Sequence, residues 1–467
     1  MRRDETSFID DELIQRLLSQ GPASAATIEE ILAKAEAAHG LEPEELALLL
    51  KVEEDETWGR IFQAARRVKE RIYGRRIVLF APLYLSNYCV NACRYCGYRT
   101  GNGIIRRRLS MAEIREEVVA LERMGHKRLA IETGEDPVNC PLDYVLEAID
   151  VIYAVSAEQG AIRRLNVNIA ATTVEAYRLL KEHGIGTYIL FQETYHRPTY
   201  AAMHPSGPKS DYDWHLLAFD RAMEAGQDDV GAGILFGLAD YRYELIALLL
   251  HARHLEEKFG AGPHTVSVPR LKPAHGVDLD RFPHLVDDGT FKRIVALIRL
   301  ALPYTGLILS TRESPALRRE LLELGVSQIS AASCTGVGGY SARAGCRERE
   351  REETAQFRIE DHRSLDEVLA ALCRDGYLPS FCTACYRRGR TGDRFMALAK
   401  SGRIGRICGP NAILTFAEYL LDYGSEETKR LGWEAIEANL AEIPPGERDG
   451  LRRRLERIVR GERDLYL

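Results

Sequence analysis

IVLFAPLYLSNYCVNACRYC, residues 77–96, decides the fold: an apolar, β-rich run passes directly into a loop whose three cysteines are spaced CxxxCxxC. Before it, up to about Arg76, the chain reads as helix, with apolar residues at helical spacing in ATIEEILAKAEAA and ELALLLKVEEDETWGRIFQAARRVKERIYG. After it, short β-rich runs alternate with amphipathic helical segments. The runs are RLAIETG, RLNVNIAAT, TYILFQETY, VGAGILFGL, TVSVPRL, GLILSTRE and QISAAS, the last only weakly apolar. Of the segments between them, SMAEIREEVVALERMG opens on a capping-box pattern, Ser110 with Glu113, and TVEAYRLLKEHG closes on glycine. Eight strands alternating with helices predict a parallel (β/α)8 barrel of the TIM type. Beyond about Gly336 the alternation is lost. The expected organisation is a helical N-terminal extension over 1–76, the barrel over 77–336 and a C-terminal cysteine-bearing domain over 337–467.

The 467 residues, 45% of them apolar, suffice for one large catalytic body with appendages. With 63 basic and 69 acidic residues the chain has no global positive field for nucleic acid, and Arg106-Arg107-Arg108 reads as a solvated or locally functional run. No stretch of about 18 apolar residues occurs, and the N-terminus has no uninterrupted apolar core. Neither a spanning helix nor a signal peptide is expected, which points to the cytoplasm and to small-molecule or protein partners rather than nucleic acid or membrane. Of the 10 cysteines, six fall into two tight clusters. In a reducing compartment that pattern reads as metal binding, not as a disulfide framework.

Cys89, Cys93 and Cys96 follow the first strand, which places them at the end of the barrel where such enzymes keep their active sites. Three thiolates can hold three irons of a [4Fe–4S] cubane and leave the fourth for the amino and carboxylate groups of S-adenosylmethionine. An electron from such a cluster breaks the sulfonium carbon–sulfur bond and yields a 5′-deoxyadenosyl radical, a hydrogen-abstracting species. A zinc site is the plainer reading, but zinc usually takes a fourth protein ligand and commonly shows CxxC pairs. Tyr95, directly before Cys96, is an aromatic able to cover the adenine.

Far downstream, FCTACYRRGRTGDRFMALAKSGRIGRIC supplies Cys382, Cys385 and Cys408, again three ligands. A zinc knuckle completed by a histidine or by Cys373 remains open on spacing alone. The basic residues between these cysteines suit either kind of site.

The N-terminal triplet, GIGTYILFQETYHRPTYAAMHPSGPKSDYDW, PHTVSVPRL, SCTGVGGY and FCTACYRRGRTGDRFMALAKSGRI together resemble the HydG family, the radical S-adenosylmethionine (radical SAM) tyrosine lyases of [FeFe]-hydrogenase maturation. The resemblance runs from about Arg75 to Gly424. The thiamine-pathway tyrosine lyases, the ThiH family, share the QETY and STRESP runs but lack the second cysteine motif. What the resemblance implies is a radical SAM barrel with a C-terminal cluster-binding domain, cleaving L-tyrosine to p-cresol and dehydroglycine. The fragment would become carbon monoxide and cyanide, gathered on an additional iron bound through L-cysteine at a second [4Fe–4S] cluster held by Cys382, Cys385 and Cys408. A ferredoxin or flavodoxin as electron donor and other hydrogenase maturases as partners are implied as well. Two sites at opposite ends of a barrel would require a passage through its interior.

The same resemblance marks Gly134 and Glu135, in Thr133-Gly134-Glu135, for the methionine amino group of S-adenosylmethionine. Asn168 and Glu193 point to the same mouth, for ribose or substrate, with Asn166 as the alternative to Asn168. Gln192 and Tyr195 belong to a run, Gln192 to His196, unusually polar for a buried parallel strand, and are expected to face the cavity and substrate. Arg270 and Arg312, at the ends of strands six and seven, are candidate carboxylate clamps or structural salt-bridge partners. For the additional iron the family uses a histidine, placed at His254 with His264 as runner-up. Gly336, Gly338 and Gly339 read as a turn or a ligand cradle, and His215 stands where the family pattern has arginine. A lyase that stops at dehydroglycine, and a non-catalytic iron–sulfur sensor on the same scaffold, remain the competing readings.

Overall fold

The structure is a computed structural model that describes residues 5–158, 160–341, 355–401 and 404–467. Eight parallel strands close on themselves: β1 Arg76–Ser86, β2 Arg128–Thr133, β3 Arg164–Asn168, β4 Tyr188–Glu193, β5 Val230–Ile234, β6 Thr265–Ser267, β7 Gly306–Leu309 and β8 Gln328–Ser330. Closure is made by β1, which pairs with β8 through Val78–Phe80 and with β2 from Ala81 onward. All eight expected strands are present. The eighth is only three residues long, in keeping with its weak apolar character. The capping box also forms, with Ser110 N donating to Glu113 Oε2 at 2.8 Å and Glu113 N to Ser110 Oγ at 3.3 Å. Thr173 caps the helix Val174–Glu182, and Gly184 leaves it with φ +75°.

A ninth strand, β9 Leu378–Ser380, runs parallel to the start of β1, with Arg76 opposite Leu378 and Val78 opposite Ser380. Val78 also faces Gln328 of β8, so β9 must lie on the other edge of β1. It occupies the stretch of that edge below the point where β2 takes over. Its sequence, Leu-Pro-Ser, shows no strand pattern: proline removes a ladder donor, and three residues are too few for a visible period. Behind β9 pack the helices Leu365–Arg374, Ile404–Asp422 and Glu426–Glu442, which cover the N-terminal end of the barrel. The N-terminal helix Asp55–Tyr73 packs against the barrel helices Asp288–Ala301 and Pro315–Leu324. Among the described residues no helix is long and apolar enough to cross a membrane.

The segment leaving the barrel is pinned by charge. Arg318, fully buried on the helix Pro315–Leu324, binds Asp361 and donates to the Ser330 carbonyl at 2.6 Å, and Arg363 Nη2 reaches Asp361 at 2.7 Å. Removing the carboxylate would strand a buried guanidinium. Asp361→Ala is expected to cost about 3–5 kcal/mol, read as a lowered midpoint of thermal unfolding. A midpoint equal to that of the parent protein would contradict this assignment.

Candidate active site

At the C-terminal ends of the strands, Cys89, Cys93 and Cys96 line one cavity together with Tyr95, Glu132 and Arg312. The loop is clamped to the strand ends rather than hung over them. Val90 N donates to the Glu135 carbonyl at 2.8 Å and Asn91 Nδ2 to Glu135 Oε2 at 2.6 Å, while Asn91 Oδ1 accepts from Lys209 N at 3.0 Å. Gly134 allows this approach: a Cβ there would stand 2.2 Å from the Tyr88 carbonyl oxygen and 3.0 Å from Cys89 Cβ. The close packing of the cysteine loop requires glycine here, and Gly134 also lines the cavity. Burial pushes the Cys93 thiol up to about 12 and Cys96 to about 11. Three soft thiol donors of one loop lining a shared cavity fit a metal cluster.

Facing the loop, β4 carries a bulge, with Phe191 opposite Gly233 but Glu193 opposite Ile234. Glu193 takes φ +67°, a left-handed conformation costing about 1–2 kcal/mol for a residue with a side chain. Glu244, buried on the helix Tyr241–Phe259, holds the turn by accepting from Tyr195 N at 2.8 Å and from the Thr194 hydroxyl. The bulge aims Glu193 into the cavity, where its Oε1 lies 2.8 Å from Lys209 Nζ. Burial opposes the Lys209 charge, but Glu193 and Cys93 together hold its pKa above the usual lysine range. The Tyr95 hydroxyl sits 2.8 Å from His204 Nε2, and His204 Nδ1 lies 2.8 Å from the Tyr200 carbonyl. That carbonyl requires the proton on Nδ1, so Tyr95 donates to Nε2. Burial pulls His204 down to about 3, which keeps the ring neutral.

Asn168 lines the cavity and donates to Glu132 Oε2 at 2.7 Å, whereas Asn166 instead accepts from Thr187 N. Burial pushes the Glu132 carboxyl up to about 8, against the pull of Arg312. The Arg312 guanidinium carbon stands 3.3 Å from the centroid of the Phe357 ring. Arg270 is placed elsewhere: Glu313 binds it at 2.5 Å, Asp288 at 2.8 Å and the Val286 carbonyl at 2.9 Å. Its donors are spent on structure, and it does not line the cavity. Gln192 and Tyr195 also point away, because the bulge turns Glu193 inward in their place. The Tyr195 hydroxyl pairs with His251 Nδ1 at 2.9 Å. His215 lines the cavity with its Nε2 2.9 Å from the Phe191 carbonyl. At the glycine turn, a Cβ on Gly339 would stand 1.9 Å from Cys334 Sγ and one on Gly338 2.6 Å from Arg107, so both serve close packing. Glu132, Lys209 and His204 escaped the sequence reading. Alternation along RLAIETG puts Glu132 on the face of Ala130, a readable signal, but nothing local brings Lys209 to this end of the barrel.

A second cavity lies at the opposite end, where Cys382, Cys385 and Cys408 meet the strand starts at Arg76, Arg128, Gly306 and Gln328. Arg128 Nη1 donates to the Cys382 carbonyl at 3.1 Å. Cys408 accepts from the Cys385 thiol and, against burial, is attracted by Arg76, Arg390 and Arg128, which lowers its pKa. Thr383 Oγ1, Arg390 Nε and His264 Nδ1 are buried here without hydrogen-bond partners. Three soft donors with orphaned polar atoms around them fit a metal cluster. Among the described residues no three His, Cys, Asp or Glu side chains are drawn together as around a single ion. A cubane, by contrast, spreads its thiolates over separate irons. His264 belongs to this cavity, with Nδ1 3.5 Å from Asp229. The expectation for His254 fails: it lies on the outer face of the helix Tyr241–Phe259, stacked on Phe8 at 3.8 Å and bound to Asp220 at 2.8 Å. Cys373 is buried in the helix Leu365–Arg374 and does not line the cavity. The two cavities share strand rows: Val78 lines the lower and Phe80 the upper, as do Gly306 and Ile308, and Gln328 and Ser330.

Comparison with known proteins agrees with this geometry. The sequence pattern of the radical SAM superfamily matches residues 83–249, and that of the Biotin and Thiamin Synthesis associated domain matches residues 267–378. The chain is 59% identical to HydG, solved as a maturase of the [FeFe]-hydrogenase, over 99% of this chain and 100% of that one, with a TM-score of 0.95. It is 42% identical to the maturase HydG from Carboxydothermus hydrogenoformans, over 98% and 99% of the two chains, with a TM-score of 0.83. With the 2-iminoacetate synthase of Escherichia coli (strain K12) it shares 34% identity over 321 residues, 68% of this chain and 81% of that one. The chain belongs to the HydG family of radical SAM hydrogenase maturases.

Proposed function

We propose that the protein is a tyrosine lyase that makes p-cresol and dehydroglycine in the upper cavity and converts the fragment to carbon monoxide and cyanide in the lower one. The product is an Fe(CO)(CN) unit for assembly of the [FeFe]-hydrogenase H-cluster, handed on to other hydrogenase maturases. The observation that carries this reading is the pair of three-cysteine cavities at opposite ends of one barrel. A ferredoxin or flavodoxin supplies the electron.

When bound, a [4Fe–4S] cluster with S-adenosylmethionine supplies a hydrogen-abstracting radical at the upper site. Cys89, Cys93 and Cys96 hold the cluster, Tyr95 covers the adenine, and Glu135, Asn168 and Glu193 serve the rest of the cofactor. Arg312 orients the tyrosine carboxylate: it is a buried cation with an aromatic face on one side and the cavity on the other. Glu132 receives the Asn168 amide at Oε2 and, with its pKa near 8, holds a proton at Oε1 at neutral pH. Cys382, Cys385 and Cys408 hold the second cluster. His264 takes the additional iron, bound through L-cysteine, in the role first expected of His254. The fragment passes along the shared rows of β1, β7 and β8, one strand step apart or about 7 Å.

The second reading, a lyase that releases dehydroglycine (2-iminoacetate) and forms no diatomics, is favoured by the 34% identity to 2-iminoacetate synthase. Anaerobic turnover with tyrosine, S-adenosylmethionine and reductant separates the two. Cys382→Ala should retain p-cresol within about twofold and lose carbon monoxide and cyanide, a loss of well over tenfold. Carbon monoxide unchanged in the variant would sink the division of labour, and none from the parent protein would favour the second reading. Arg312→Gln should raise the KM for tyrosine about 10–100-fold, as expected for a lost charge-assisted pair. An unchanged KM would remove Arg312 from substrate binding. The rate should fall as pH rises through about 8 and Glu132 loses its proton, and Glu132→Gln, which keeps a donor at that point, should flatten this limb. A limb that persists in the variant would assign the titration to another group.

A further inference from the structure

The first residue of each of β1, β2 and β3 is an arginine, Arg76, Arg128 and Arg164. Parallel register gathers them at the floor of the barrel, with Arg128 directly opposite Arg164 on the β2–β3 ladder. Arg76 and Arg128 line the lower cavity with Arg390, and the Arg164 guanidinium carbon stands 3.0 Å from the centroid of Tyr386, which closes one side. Buried cations of this kind are normally paired. One carboxylate faces the group: Asp229, 3.8 Å from Arg164 and 3.5 Å from His264. Among the described residues neither Arg76 nor Arg128 makes an ion pair, and Arg128 Nε is buried without a hydrogen-bond partner.

We propose that these strand-first arginines make the lower cavity an anion-selective ligand site, taking a small monoanion in preference to a neutral ligand with the same donor atom. The inference rests on the reading of Cys382, Cys385 and Cys408 as ligands of a cluster with one open iron. Three thiolates match the guanidiniums left over by Asp229, and the cationic iron–sulfur core then leaves the cavity short of negative charge. A further anion at the open iron meets that deficit, and a neutral ligand does not. Arginine does not titrate in the working range, so the preference belongs to the fold rather than to the pH. Arg128 is the residue that decides it, since its guanidinium is held at the cavity by the Cys382 carbonyl and by no carboxylate.

The test uses the full chain, anaerobically reconstituted with iron and sulfide and reduced with dithionite, and follows the electron paramagnetic resonance signal of the reduced second cluster during titration. The probes are cyanide and methyl isocyanide, which both bind iron through carbon and differ in charge. In Arg128→Gln the Kd for cyanide should rise about tenfold or more, the scale of one lost charge at close range, while that for methyl isocyanide stays within about twofold. Arg128→Lys should restore cyanide affinity, because it returns the charge without the fork of donors. Equal weakening of both ligands in Arg128→Gln would reveal a displaced cysteine loop and overturn the proposal, as would an unchanged cyanide Kd. A signal that is absent in the parent protein and an iron content unaltered by Cys382→Ala would instead overturn the cluster reading beneath it.

Discussion

The structure depends on β1 being shared by three neighbours, with β9 and then β2 along one edge and β8 along the other. Its 11 residues, Arg76–Ser86, extend about 33 Å, while most other strands are half as long or less. At its start it receives β9 on one edge and β8 on the other, and toward its end it hands the first edge to β2. One strand thus closes the barrel, docks the C-terminal segment and delivers the chain into the Cys89–Cys96 loop. Because peptide hydrogen bonds fix its position against three neighbours, the two cysteine sites are held at a set separation.

Charge divides the two ends. The upper cavity holds Glu132, Glu135 and Glu193 with Lys209 and Arg312, whereas the lower one has arginines against the single carboxylate Asp229. Each arrangement is costly in isolation and consistent with a bound group of opposite sign: a sulfonium and a cluster above, thiolates and anions below. The strain at Glu193 follows the same logic. A left-handed glutamate persists because Glu244, on the helix Tyr241–Phe259, accepts two donors from the residues that follow it.

The barrel was legible because short β-rich runs alternate with amphipathic helical segments, and local periodicity suffices to count such units. The cysteine triplets were legible as candidate ligand sets because their members recur at short or fixed spacings, and the structure brings each triplet to one cavity. Less legible were the residues that complete the sites. Arg270 and Arg312 looked alike as strand-end arginines, and only the position of Glu313 and Asp288 separates the structural one from the cavity one. His254 and His264 differ by 10 positions, yet one faces Phe8 on the outer surface and the other the second cavity.

By itself the sequence determined the eight-strand alternation, the two three-cysteine sets and the family they belong to, since all of these are written in local periodicity and motif spacing. Only the tertiary structure decided which side chains share a cavity. The β4 bulge chose Glu193 over Gln192 and Tyr195, strand order gathered Arg76, Arg128 and Arg164 on one floor, and β9 placed Cys382 beneath the barrel rather than beside it. The physical reason is range. Periodicity and motif spacing report forces between near neighbours, whereas register, closure and charge pairing act between residues tens to hundreds of positions apart, and no local pattern records them.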